Sequence, residues 1–293
     1  MYKSLAEAIK DAEASGRTLS QTALDMESAD QGRTVEDIRE VLGRALGVMR
    51  GAIDQGMVGD LYSASGLVGG DAAKLRAGPP GPLAGTAFRD VLARALAVQE
   101  VNAAMGVIVA APTAGGAGVL PAVLTGLAAS KGFGDEKLVD ALAAAGLIGA
   151  VIAERASLSG AEGGCQAETG AGAAMAAGSA TEMLGGTPAQ AGHAVALTLQ
   201  GMLGLVCDPL GGLVELPCVF RNATGAAIAL AGIEMALAGV TFAIPVDEVI
   251  DVMGEIGREM DVRYRETAGG GLAATPTGRR LARERLYQIK RGG

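Results

Sequence analysis

Three cysteines, Cys165, Cys207 and Cys218, occur in 293 residues, all of them between positions 157 and 222. An odd number of thiols cannot pair completely as disulfides. A long, cysteine-poor chain without a signal peptide reads as a protein of a reducing compartment, the cytoplasm. Thiolates gathered there point to metal binding or catalysis. A structural zinc site would show a C-x₂₋₄-C pair, and none is present. A cubane iron-sulfur cluster tolerates distant ligands and usually takes four thiolates, one per iron. With three, one iron stays open as a Lewis acid that can bind a substrate hydroxyl and help it leave as water. That chemistry is a dehydratase's, not an electron carrier's. The alternative from spacing alone, three buried thiols acting as small hydrophobes, stays open at this point.

Other side chains extend the candidate site. Glu162 and Glu168 flank Cys165, as a general base, as an orienter of a substrate ammonium, or as helix caps. Ser63, Ser65, Gly66, Gly69, Gly70 and Asp71 offer hydroxyls and amides to a small carboxylate, with Lys74 adding charge or serving as a surface cation. Thr113, Gly115 and Gly116 lie in an amide-rich stretch before a helix expected at about Val119, a setting that binds anions; the other reading is a turn that permits close packing. It is neither a Walker loop nor a dinucleotide fingerprint. Asn102 precedes this stretch, and Asn222, beside Cys218, can donate to a cluster sulfur or to substrate. His193, the single histidine, reads as structural, with a proton shuttle as the alternative.

These residues must be positioned by helices, because no stretch shows sustained strand alternation. The expected fold is all-α: a compact multi-helix catalytic domain with Gly-rich loops around an iron-sulfur site. We divide residues 1–293 of this single domain into an amphipathic helical part (1–60), a cluster and substrate core (61–245) and C-terminal helices with a loop (246–293). Ser4–Glu7 and Thr18–Gln21 fit capping boxes. Thr34 can cap a helix through about Gly51, with Val35, Ile38, Val41, Leu42, Ala45, Leu46 and Met49 on one face. Glycines and prolines forbid helix through Gly78 to Gly81. Further helices are expected at 86–110, 135–156, 171–184, 188–204, 223–243 (stopped by Pro245), 247–260 and 279–290. The last is basic and suited to clasping a partner or the domain itself.

Forty-six glycines and 3% aromatics leave Ala, Val, Leu and Gly to build the core. A net charge of -8 argues against nucleic-acid binding. A mean hydropathy of +0.33 raises the possibility of a membrane transporter. Against that, the uncharged runs Val101–Ser130 and Met183–Cys207 are rich in Ala and Gly, Trp is absent, and Lys and Arg do not gather on one side.

The stretches GAEGGCQAETG (160–170), CDPLGGLVELPCVFRNA (207–223) and NAAMGVIVAAPTAGGAGVLPAVL (102–124) resemble the alpha subunit of bacterial iron-sulfur L-serine dehydratase. The resemblance continues in SASGLVGGDAAKL (63–75) and RETAGGGLAATPTGRR (265–280). It implies a [4Fe-4S] cluster on Cys165, Cys207 and Cys218, and conversion of L-serine to pyruvate and ammonia through aminoacrylate without pyridoxal phosphate. It further implies that the loops around Ser65 and Thr113 hold the substrate carboxylate and that the 265–280 loop returns to the active site. Two departures stand out: some relatives carry a fourth cysteine at the extreme C-terminus, where this chain reads Arg291-Gly292-Gly293, and the small domain with a Ser-Ser-His segment is missing. A separate beta subunit is therefore expected, and a homo-oligomer is compatible. The alternatives are an L-cysteine desulfidase and a non-catalytic iron-sulfur or partner-binding subunit.

Overall fold

The computed structural model describes residues 2–79 and 85–292, with side chains through residue 285. Local capping rules set its N-terminal third: α1 (Leu5–Ala14), α2 (Leu19–Gln31) and α3 (Val35–Gly56). Thr18 with Gln21 and Thr34 with Asp37 close full capping boxes. At Ser4 only half of the box forms: its hydroxyl accepts from the Glu7 amide but donates to Asp247, 2.6 Å away. Asp247 also accepts from the Leu5 and Ala6 amides, so an acid from the far end of the chain caps α1. Helix α3 runs beyond Gly51 because Ala52 and Ile53 are buried, whereas Val41, expected on its inner face, is 37% exposed.

Next come α4 (Asp71–Ala77) and α5 (Thr86–Ala103). The predicted break at Gly78 to Gly81 falls partly outside the described residues, as Pro80 and Gly81 do. Helix α5 stops well before residue 110. Met105 takes a left-handed φ of 62°, and the Met105 and Gly106 amides return to the carbonyls of Asn102 and Val101. This is a Schellman close with Met where Gly is usual.

Helices α6 (Val119–Lys131), α7 (Asp135–Arg155), α8 (Gly160–Gly163), α9 (Ala171–Met183), α10 (Pro188–Gln200), α11 (Cys218–Leu237), α12 (Val246–Glu259) and α13 (Pro276–Gly292) complete the described chain. Helix α9 is the axis, packed against α6, α7, α10 and α11, and Glu182 is its one residue that is not buried. A Cβ on Gly178 would stand 2.6 Å from Ile148 Cδ1 and 2.8 Å from Val195 Cγ2, so glycine sets the approach of α7 and α10. Such a core gains less area per residue than one of Leu, but Ala and Gly lose almost no side-chain entropy on burial. The all-α expectation holds: among the described residues the sole extended pairing is an isolated bridge between Cys207 and Arg265. No described helix is long and apolar enough to cross a membrane. Helix α10 ends before residue 204, and α11 starts at Cys218 rather than 223, which places Asn222 inside a helix.

Glu100 of α5 is 1% exposed, and its Oε1 accepts from the Asp71 and Ala72 amides at the start of α4 (2.7 and 3.1 Å). Its Oε2 has no partner among the described residues. Burial pushes the Glu100 carboxyl above the usual carboxylate range, partly offset by the amides of Ala72 and Asp71. A raised folded pKa contributes stability at low pH that is lost as pH rises through it. Glu100→Gln keeps the accepting oxygen and removes the charge. Its melting temperature relative to the parent should therefore rise between pH 4.5 and pH 8, as read by thermal melts across that range; a flat difference would contradict the assignment.

Candidate active site

The chain reaches Cys165 through Gly164, whose φ is 75°, and then makes a widened π-type turn, Gln166–Gly170, that runs directly into α9. Such turns are frequent at functional sites because they re-aim side chains within a helix. Gln166 anchors this one: its backbone amide donates to Leu205 O, its side-chain nitrogen to Met253 O, and its side-chain oxygen accepts from the Gly204 amide. Cys165 and Thr169 then face each other, Sγ to Oγ1, at 3.1 Å.

Cys207 is held by its backbone. Its amide donates to Tyr264 O and its carbonyl accepts from Glu266 N, each at 2.8 Å, so the 262–272 loop lies against the thiol segment. Cys218 opens α11. All three cysteines are buried and none is in a disulfide. Burial pushes every one of these thiols up: Cys165, Cys207 with further contributions from the charges of Cys165, Glu168 and Cys218, and Cys218 to about 12. The Cys165 charge raises both other thiols and the Cys218 charge raises Cys207, so the three share one electrostatic neighbourhood. Among the described residues no three His, Cys, Asp or Glu side chains are set for a single metal ion.

Glu168 lies beside the thiols. Its Oε2 is 3.8 Å from Cys207 Sγ, and Thr113 Oγ1 donates to its Oε1 at 2.7 Å. The carboxylate occupies a slot walled by glycines. A Cβ on Gly115 would come within 2.8 Å of it, and one on Gly160 within 2.5 Å of Oε2 and 3.3 Å of Cys207 Sγ; one on Gly116 would meet the Glu168 carbonyl at 2.7 Å. Burial pushes the Glu168 carboxyl up, the Thr113 hydrogen bond opposes this, and the Glu266 charge adds to the rise.

Several predicted polar residues are occupied by the fold. Asn222 is fully buried and donates both amide hydrogens, to Gly115 O (2.7 Å) and Cys218 O (2.9 Å), while its oxygen accepts from Gly118 N (2.9 Å). No hydrogen is left for a sulfur or a substrate. Asn102 and Gln99 both donate to Ala114 O, so these amide side chains lash residues 114–118 to α5 and α11. Thr113 Oγ1 accepts from Gly116 N as well as donating to Glu168. The amides of Thr113, Ala114 and Gly115 meet no protein acceptor among the described residues. Ser65 donates to the buried Glu215 carboxylate and accepts from Leu67 N, which uses its hydroxyl.

Two predicted residues stay outside. Lys74 is exposed and pairs with Asp71 at 2.8 Å on the outer turn of α4. Glu162 is exposed and accepts from Ser157 Oγ at 2.6 Å, a local tie. His193 lies on α10, where Nδ1 accepts from the Phe242 amide, a structural role. Gln99, Gln166, Asp208, Glu215 and Arg221 were not singled out from sequence. Each works through a partner distant in the chain, which spacing does not reveal.

The sequence model of the serine dehydratase alpha chain family matches residues 13–273. The chain is 46% identical over 286 residues to the probable L-serine dehydratase, alpha chain, of Bacillus subtilis, covering 97% of this chain and 95% of that one. It is 39% identical over 275 residues to the L-serine dehydratase, alpha chain, of Peptoniphilus asaccharolyticus, covering 93% and 94%. Against the L-serine dehydratase of Streptomyces coelicolor it is 42% identical over 263 residues, 87% of this chain but 57% of the relative. A match over most of its length, joined to close identity with two named alpha chains, shows that the chain belongs to the serine dehydratase alpha chain family.

Proposed function

We propose that this chain carries the active site of an L-serine ammonia-lyase of the cytoplasm, with a [4Fe-4S] cluster on Cys165, Cys207 and Cys218 and a separate beta chain as partner. The observation that carries this reading is the approach of the Glu168 carboxylate to Cys207 Sγ, 3.8 Å, in a glycine-walled slot of a chain whose three thiols are all buried. When bound, the cluster supplies a Lewis acid at the iron without a cysteine.

The chain's own residues supply the rest. Elimination of water from serine needs a base for the α-hydrogen, and Glu168 is the carboxylate next to a thiol, with an affinity for protons above that of an ordinary glutamate. Thr113 fixes its orientation. The unpartnered amides of Thr113, Ala114 and Gly115 suit the substrate carboxylate. Loss of the α-proton and the β-hydroxyl leaves aminoacrylate, which tautomerises to the imine. Addition of water to the imine then releases ammonia and pyruvate, so no net water is consumed. Pyridoxal phosphate has no part in this scheme.

The comparisons support a partner: named alpha chains are matched almost end to end, whereas the Streptomyces L-serine dehydratase carries a large further part. The exposed apolar side chains Tyr62, Met105 and Val107 offer it a surface.

The test is anaerobic purification with iron and sulfide analysis, then pyruvate release from L-serine with and without the beta chain, with L-cysteine and L-threonine in parallel. The expected outcome is about four irons and four sulfides per chain and serine turnover that depends on the beta chain. Absence of iron would sink the cluster reading. Faster sulfide release from cysteine would reassign the enzyme as a desulfidase.

A further inference from the structure

Cys207 and Cys218 lie on opposite sides of a turn, residues 208–217, that carries four backbone hydrogen bonds of its own, none of which reaches the residues flanking Cys207. Arg221 ties the two sides together. It sits three residues after Cys218 on the same helix, and it is largely buried, with a side-chain exposure of 16%. Its Nη1 donates to Val206 O at 2.8 Å. The same nitrogen stands 2.8 Å from Asp208 Oδ1, off the N–H axis, so this second contact is Coulombic rather than an aligned hydrogen bond. Val206 and Asp208 are the residues on either side of Cys207. One guanidinium on the helix of one thiol therefore grips both neighbours of another. Asp208 is 2% exposed and passes the constraint on, since its Oδ2 accepts from Leu272 N at 2.6 Å. A Cβ on Gly271 would collide with that carboxylate. No role in the reaction scheme above calls for this buried ion pair, and a lone buried charge would be strongly destabilising.

We propose that Arg221 is a positioning residue that sets Cys207 relative to Cys218 through Val206 and Asp208. The inference rests on reading the three thiols as one site, but it concerns the protein before any cluster is loaded. Its test therefore needs neither iron nor serine turnover, and a failure of the cluster reading would register separately, in iron analysis. The cluster-free chain is treated with iodoacetamide under reducing, anaerobic conditions, and alkylation of each cysteine is followed by peptide mass spectrometry beside a thermal melt. Arg221→Met should speed alkylation of Cys207 by at least about tenfold, the equivalent of loosening one buried tie, and leave Cys165 no faster than in the parent. Asp208→Asn, which keeps the side-chain size, should give a smaller rise with the same selectivity, and it keeps the test available if Arg221→Met fails to fold. A Cys207 rate within twofold of the parent in the folded variants would overturn the proposal. So would acceleration of all three thiols together with a fall in melting temperature, since that marks general loss of structure.

Discussion

Replacing Glu168 by glutamine lowers pyruvate formation from L-serine by about 10²–10⁴-fold, the range expected when a positioned general base is removed. The substitution keeps the side-chain shape, so the Thr113 hydroxyl retains an oxygen to donate to and the slot between Gly115 and Gly160 stays filled. What is lost is a carboxyl whose affinity for protons is raised by burial. The measurement is kcat and KM on anaerobically prepared enzyme together with its beta chain, with iron and sulfide counted on the same samples. Loss of kcat at unchanged iron content supports proton transfer by Glu168. A loss below tenfold with a full complement of iron removes it from that role.

Gly160→Ala should abolish activity while leaving the fold standing. The added Cβ would lie 2.5 Å from Glu168 Oε2 and 3.3 Å from Cys207 Sγ. A carboxylate at the end of a flexible side chain can usually step aside. Here it is boxed in, because Gly115 closes the other wall at 2.8 Å and Thr113 holds Oε1. Overpacking of this kind costs about 1–3 kcal/mol of stability, whereas misplacing a reacting group by about 1 Å costs on the order of 10²-fold in rate. A variant with a melting temperature within a few degrees of the parent and at least a hundredfold loss of turnover is expected. A fully active Gly160→Ala enzyme would show that the carboxylate has room to move and that the slot does not orient it.

The sequence was most legible where the governing physics is local. Hydroxyl caps at Thr18 and Thr34, helical periodicity and the glycine turn before α6 all act within a few residues, and each element formed near its expected place. Helix α5 was read too long because its stop depends on Met105 in a left-handed conformation, a state that an apolar L-residue does not advertise. At the site, the thiols were legible by residue type. Glu162 and Glu168 were equivalent on paper, and only the π-type turn separates them, carrying one carboxylate to the thiols while the other remains exposed. Ser65 and Asn222 read from sequence as ligand contacts because spacing assigns no partner to their polar groups. Their partners, Glu215 for Ser65 and the Gly115 to Gly118 segment for Asn222, lie more than a hundred residues away in the chain.

The pairing of Cys207 with Tyr264 and Glu266 has a consequence for the order in which the protein is made. A nascent chain emerges from its N-terminus, and the α6–α9 core can pack once residue 183 is out. Cys207 cannot be seated then, because the backbone groups that receive it belong to a segment still to be synthesised. Contacts of such long sequence separation form late in folding. The seat of Cys207 is thus finished only after residues 264–266 have been made, and a ribosome-stalled fragment ending before residue 262 should display an accessible Cys207.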